Sequence, residues 1–341
     1  MHLILVAPGL LAQSHEALGA GRALARLAFA ACTPRVQTAG IATAMLDALD
    51  APPSTPIAPL AALGAGMRDG DDYVLAADPV LLVADRDDVV LVQRIDDLED
   101  GDVAALVATL NRHFAGDGLE FVAIRRDAWF AKSARARAVE TTPFDAARAR
   151  GVFPHLPRGN DGAIWRRWQN EIGMLLHEHP VNVARQHAGE PAVTGIWFWG
   201  GGRLRDAVGL PVVTVAAANG RVGDVARGVA RHAAGRDDPL QPTVSTQQVL
   251  AELHRKNAGA QAQSIVVTQA IADGSAVGTF DAQWLGPALD LLDAKRIGRI
   301  TLVADGNGVA MSWTATRPSW WARVAARVRR RPFVVPPPPR P

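Results

Sequence analysis

The 341-residue chain exceeds the size at which a single hydrophobic core ordinarily stops growing, so its length fits one large domain or two intimately joined ones. A hydrophobic fraction of 48% against 21% charged residues excludes disorder as the general state, and a net charge of +2 excludes a general attraction to polyanions. Cys32 is the single cysteine, which excludes an intrachain disulfide and a multi-cysteine metal site and fits a reducing, cytoplasmic compartment.

The opening apolar run, residues 1–7, has no basic leader and meets Pro8-Gly9 early, so it reads as a first strand rather than a signal helix. No later apolar run approaches the roughly 20 residues needed to span a bilayer. Ser14 is placed to cap a helix running to about residue 31, a β-loop-α opening. Ile41, Met45, Leu46 and Leu49 give a second helix, which ends in the proline-rich stretch 51–56, a linker or surface loop. The runs 73–76 and 89–92 flank the acidic stretch 85–88 and predict a strand pair joined by a polar turn. Asp102 is read as the cap of a helix carrying Val103, Leu106, Leu110 and Phe114, and 120–124 returns as a strand.

The best-defined helix is 161–179, where Ile164, Trp168, Ile172, Leu175 and His179 recur at helical spacing and Pro180 ends the run. Strands follow at 196–199, 211–216, 265–268 and 300–304, with helices near 224–232, 246–255 and 281–292. This alternation predicts an α/β fold with a mostly parallel sheet covered on both faces, and the β-β-α-β order of 73–124 predicts an α+β subdomain.

Four residues of the 161–179 helix, Arg167, Asn170, Met174 and His177, form a mostly polar stripe of the kind that lines a cleft; the alternative is that Arg167 and His177 are solvated or bond to carbonyls at the helix end, which for His177 taken alone is the better reading. His177 and His179 point about 200° apart on a helix, which argues against a shared metal ion. Asn182 and Arg185 follow at once and are suited to a phosphate or carboxylate. Gly200, Gly201 and Gly202 leave a tryptophan-rich strand and permit close approach of backbone to a ligand, but the spacing is neither that of a Walker loop nor that of a dinucleotide fold. Arg167, Asn170, His177, Asn182, Arg185 and the three glycines are therefore the expected ligand-binding set.

The strings Leu156-Pro157-Arg158-Gly159-Asn160-Asp161, Asn170-Glu171-Ile172-Gly173-Met174-Leu175-Leu176-His177, His179-Pro180-Val181-Asn182, and Ile196-Trp197-Phe198-Trp199-Gly200-Gly201-Gly202 carry a further signal. With Arg185, they resemble a bacterial family of cofactor-independent phosphoglycerate mutase-like, or RpfE-type regulatory, proteins. Gly209-Leu210-Pro211-Val212 and Val225-Ala226-Arg227-Gly228 look like the archaeal-type mutases. The resemblance is clearest over residues 78–235. It implies an alkaline-phosphatase-like core, residues 1–72 and 196–317, with an inserted α+β subdomain and polar helix at 73–195.

That superfamily implies two metal ions on Asp and His ligands and a Ser or Thr nucleophile. Here Pro8-Gly9 stands where an Asp-Gly is expected, Asp305-Gly306 stands where an Asp-His is expected, and Asp273 at another ligand position has no nearby His. The expectation is a catalytically degenerate mutase-like protein that binds a small phosphorylated or carboxylated metabolite and needs no cofactor. The alternative is an active phosphomutase or phosphatase holding Mn or Zn.

Residues 318–341 form a separate element. Trp320, Trp321, Val324 and Val328 lie on one side of a short helix and Arg323, Arg327 and Arg330 on another, before the run 336–339 of prolines. The helix is expected to dock on the protein, with anionic membrane or nucleic-acid contact as the rival reading.

Overall fold

The computed structural model describes residues 1–30, 34–37, 40–68, 70–86, 88–134, 138–148, 151–234 and 263–316. Cys32, Asp87, the expected helix at 246–255, His254 and the tail from 318 onward lie outside the described residues. The chain forms two compact units: Met1–Pro53 with Gly209–Pro341, and Ser54–Val208. The chain passes between the units at 53/54 and 208/209, whereas the joins drawn from the sequence are 72/73 and 195/196. No helix among the described residues is long and apolar enough to cross a membrane.

The first unit holds a six-stranded sheet. Its strands are β1 (His2–Ala7), β2 (Arg35–Gln37), β8 (Val213–Ala217), β9 (Gln263–Val267), β10 (Arg299–Gly306) and β11 (Val309–Thr316), in the order β2-β11-β10-β1-β9-β8. β1 is central and runs parallel to both β10 and β9, and β8 is parallel to β9, so the sheet is mostly parallel. Residues 3–7 of β1 are all buried, which is why the strand reads as an unbroken apolar run. Helices α1 (His15–Ala20), α2 (Arg22–Ala30), α3 (Ile41–Ala48), α9 (Arg221–Ala234), α10 (Gly274–Phe280) and α11 (Gly286–Asp293) accompany it. Leu3, Leu5, Leu24, Leu27, Phe280, Leu289 and Trp313 belong to its main apolar cluster.

Two local expectations change here. Ser14 does cap a helix, accepting from Ala17 N at 3.2 Å, but the helix breaks at Gly21 instead of continuing to residue 31. Asp281, 258 residues away from Ala23, supplies the reason: its carboxylate accepts from Ala23 N and Leu24 N at 3.0 and 2.8 Å and so caps α2 from outside. A Cβ at position 21 would meet Asp281 Oδ1 at 2.8 Å, so only glycine admits this cap. The second change is β11, an added antiparallel strand. Asn307 and Gly308, both at positive φ (54° and 77°), make the two-residue hairpin that returns β10 into it.

The second unit is a five-stranded antiparallel sheet: β3 (Tyr73–Asp85), β4 (Asp88–Arg94), β5 (Leu119–Arg125), β6 (Ala128–Ser133) and β7 (Gly195–Gly202), with β3 paired to β4, β6 and β7. The strand entering the glycines therefore pairs within this sheet. Helices α4 (Ile57–Ala65), α5 (Asp100–Phe114), α6 (Phe144–Ala147), α7 (Gly162–His177) and α8 (Pro180–His187) complete the unit. α4 starts immediately after the stretch 51–56 that reads as a linker or surface loop, and the sequence reading does not anticipate it. α5 begins two residues before Asp102, with Glu99 at the cap position, and its buried residues are Val103, Leu106, Leu110 and Phe114 as the spacing predicts.

On α7 the buried stripe is Trp165, Trp168, Ile172 and Leu176, while Ile164 is exposed and Leu175 only half-buried. The stripe is shifted from the expected one because Trp165 packs edge-on against both Trp168 and Phe198, at 5.0 and 4.8 Å between ring centroids. Pro180 does stop α7, and also starts α8 as its first residue.

Candidate functional site

In an α/β sheet, ligands gather at the carboxyl ends of the parallel strands. At that edge of the first unit, β1 leads into Pro8-Gly9 and β10 ends in Asp305-Gly306. Gly9 N donates to Asp305 Oδ1 at 2.7 Å, tying the two strand ends together. Gly9 sits at φ +78°, and a Cβ there would lie 2.8 Å from Ile271 O. Gln13 Nε2 donates to the same Ile271 O at 2.9 Å.

Gly306 is packed still more closely. An ideal Cβ on it would fall 2.1 Å from Ala12 N and 2.4 Å from the carbonyl carbon of Leu11, so backbone of the turn Leu10–Ala12 occupies the space a side chain would need. Asp273 accepts from Ala276 N at 2.9 Å and serves as the N-cap of α10. The acidic side chains at this edge thus hold turns and a helix end. Among the described residues, no group of three or more His, Cys, Asp or Glu side chains is arranged to hold a metal ion. The described residues at this edge do not fit a two-metal centre.

The ligand-binding set expected from the sequence lies in the second unit, and the structure divides it. Arg167 and Asn170 are exposed; Arg167 pairs with Glu171 at 3.3 Å and Asp117 at 3.5 Å. His177 is exposed too, whereas His179 is buried and accepts the Val181 amide at 3.3 Å to cap α8, so the two imidazoles occupy different environments.

Asn182 is 1% exposed and fully engaged. Its amide nitrogen donates to Leu176 O and Val193 O, both at 2.7 Å, and its oxygen accepts from Val193 N at 2.8 Å. Arg185 is 5% exposed, with Nε donating to Pro191 O at 2.8 Å, Nη2 to Asp97 Oδ1 at 2.8 Å, and Nη1 3.1 Å from Glu190 Oε2. These two residues clamp α8 onto the run-in to β7 and the segment before α5, instead of converging with His177 on the glycines. The physical reason is burial: a buried guanidinium and amide need partners, and they find them in Asp97, Glu190 and the carbonyls of Leu176, Pro191 and Val193.

The three glycines belong to β7, where they permit packing. Gly200 has φ +68° and lies against Ile57 and Ala58, a Cβ on Gly201 would meet Tyr73 Oη at 2.8 Å, and one on Gly202 would meet Pro56 Cβ at 2.4 Å.

A buried charge cluster in the same unit escaped the sequence reading. Asp78, in the middle of β3, is fully buried; Trp199 Nε1 donates to its Oδ2 at 2.8 Å, and Arg94 Nε lies 3.4 Å from the same oxygen. The Arg94 guanidinium stacks over Phe144 at 4.7 Å from the ring centroid. Burial works against the Arg94 charge, but Asp78 and then Asp145 outweigh it and hold its pKa above the usual value. Burial pushes the Asp145 carboxyl up, against the pull of Arg94 and with the push of Asp78. A lone Asp in the apolar run Ala76-Ala77-Asp78-Pro79-Val80 is the sequence signal that marks it.

No family model matches the chain. Over 86 residues it is 35% identical to a 2,3-bisphosphoglycerate-independent phosphoglycerate mutase of Methanothrix thermoacetophila, a match that spans 24% of this chain and only 22% of that enzyme's length. Among solved structures, the PH0037 protein from Pyrococcus horikoshii superimposes over 92% of this chain and 87% of its own, with a TM-score of 0.53 at 15% identity. The cofactor-independent phosphoglycerate mutase of Thermoplasma acidophilum covers 93% of this chain and 90% of its own, with a TM-score of 0.44, also at 15% identity, too distant to bear on the fold. The likeness to PH0037 establishes a shared mixed α/β fold built on a mostly parallel sheet.

Proposed function

We propose that the chain is a phosphoglycerate mutase-like protein whose metal centre has degenerated, a bacterial, cytoplasmic regulatory or metabolite-binding protein of the RpfE type rather than an active mutase. In this reading the first unit is an alkaline-phosphatase-like core and the second is the α+β subdomain inserted into it. The ligand class is a small phosphorylated or carboxylated metabolite. The partial identity to a named mutase and the family-like strings between residues 156 and 202 support the lineage.

One observation carries the loss of activity: the Leu10–Ala12 backbone lies against Gly306, where a histidine ligand would stand, while Asp305 holds the Gly9 amide. A two-metal mechanism needs cations clamped beside the attacking and leaving oxygens, and backbone packed where a ligand side chain at position 306 would project supports the reading that this clamp is missing. The test is turnover. Purified protein assayed for interconversion of 2- and 3-phosphoglycerate with added Mn²⁺, Mg²⁺ or Zn²⁺ is expected to show none. Turnover that vanishes on chelation and returns with metal would establish the active phosphomutase instead.

A further inference from the structure

The corner between α7 and α8 is fastened by a histidine that bonds through both ring nitrogens. His179 occupies the N-cap position of α8, with Nδ1 accepting from Val181 N at 3.3 Å, and its Nε2 lies 3.1 Å from Thr109 Oγ1 on α5. An accepting Nδ1 leaves the proton on Nε2, so the ring is the neutral Nε2–H tautomer and donates to Thr109. A protonated imidazole carries hydrogen on both nitrogens and has no lone pair left for the Val181 amide. We propose that the α7–α8 corner is a proton-operated latch: uptake of a proton at His179 Nδ1 removes the cap of α8, while the Nε2–H bond to Thr109 is retained.

Two further features favour the uncharged, latched form. His179 is only 9% exposed, and the start of a helix carries partial positive charge that opposes a cation. Burial accordingly pulls its pKa below the ordinary 6.5, and Asp102 on α5 is the charged group that acts in the other direction. At the end of α7, His177 and the following Glu178 are both exposed, and on α8 Arg185 is already matched by Asp97 and Glu190. Because the folded value is lowered, the latch is fully closed above the unfolded value of about 6.5 and weakens as pH falls below it toward the folded value.

The test is amide hydrogen exchange on the full chain, with each rate normalised to its intrinsic value at every pH. Between pH 7.5 and 5, protection at Val181 and Asn182 is expected to fall roughly fivefold to tenfold, the scale of a lost helix cap, while amides of β3 and β6 stay unchanged. His179→Asn keeps a capping oxygen that does not titrate, and its protection at Val181 is expected to stay level across the same range. Wild-type protection that does not change, or His179→Asn falling in step with wild type, would overturn the proposal. Should that variant not fold, the tautomer of wild-type His179 read by nitrogen NMR at pH 7.5 decides: a proton on Nε2 supports the latch, and a proton on Nδ1 overturns it.

Discussion

Replacing Asn182 with Ala isolates the clamp that holds α8 to the run-in of β7. The substitution removes three short hydrogen bonds and strands Val193 O and Val193 N in a corner where Asn182 itself is 1% exposed, whereas Leu176 O keeps the His179 amide at 3.2 Å. Each bond contributes about 1 kcal/mol net, and a buried group left without a partner costs ~1–3 kcal/mol, so the expected loss is about 3–5 kcal/mol. For a unit of this size that corresponds to a fall in Tm of roughly 10 °C. Urea unfolding followed by tryptophan fluorescence is the assay, since Trp129, Trp165, Trp168, Trp197 and Trp199 all lie in the second unit. Asn182→Asp should be at least as damaging, because it sets an oxygen 2.7 Å from two carbonyl oxygens. A loss under about 1 kcal/mol for Asn182→Ala would refute the clamp, since a single net hydrogen bond is already worth that much.

Gly306→Ala forces a methyl into the backbone of Leu11 and Ala12 and should destabilise the first unit by about 2–3 kcal/mol in thermal unfolding; a neutral result would contradict the close packing there. Asp78→Asn leaves a hydrogen-bond acceptor for Trp199 but deprives Arg94 of its nearest counter-charge, with an expected cost of about 2–3 kcal/mol in chemical denaturation, tempered because the Arg94 side chain is 25% exposed. His2, largely buried and close to Arg299, has its pKa lowered to about 4. Its ring is therefore neutral in the folded protein, and its contribution to stability, complete above about pH 6.5, is lost as pH falls toward 4. The ceiling is about 3 kcal/mol, reduced to ~1–2 kcal/mol by partial exposure. His2→Gln should flatten the stability–pH curve over that window.

Much of the fold is legible in the sequence because burial leaves a periodic trace. β1 shows it as an unbroken apolar run and α5 as Val103, Leu106, Leu110 and Phe114. What escapes has local causes. The break at Gly21 depends on Asp281, a partner no local pattern reveals. β11 was announced by Asn307-Gly308, a hairpin signal that is short and easily passed over beside the longer β10. α4 hides because seven of its nine residues are buried, so no amphipathic stripe separates it from the preceding prolines.

For the candidate site, sequence order does not say whether a polar group faces a ligand or its own fold. Asn182 and Arg185 face inward, and the glycines admit Pro56, Ile57 and Tyr73. Asp78 and Arg94 are close in space although 16 positions separate them in the chain, and only the pairing of β3 with β4 brings them together.

The proposal that the carboxyl edge of the parallel strands holds no metal pair is tested most directly by metal content. Protein purified without chelator, dialysed, and then titrated with Mn²⁺ and Zn²⁺ should carry substoichiometric metal by mass spectrometry and show no saturable binding by calorimetry that depends on Asp305. Two equivalents of tightly held Mn²⁺ or Zn²⁺, lost in Asp305→Ala, would contradict the account.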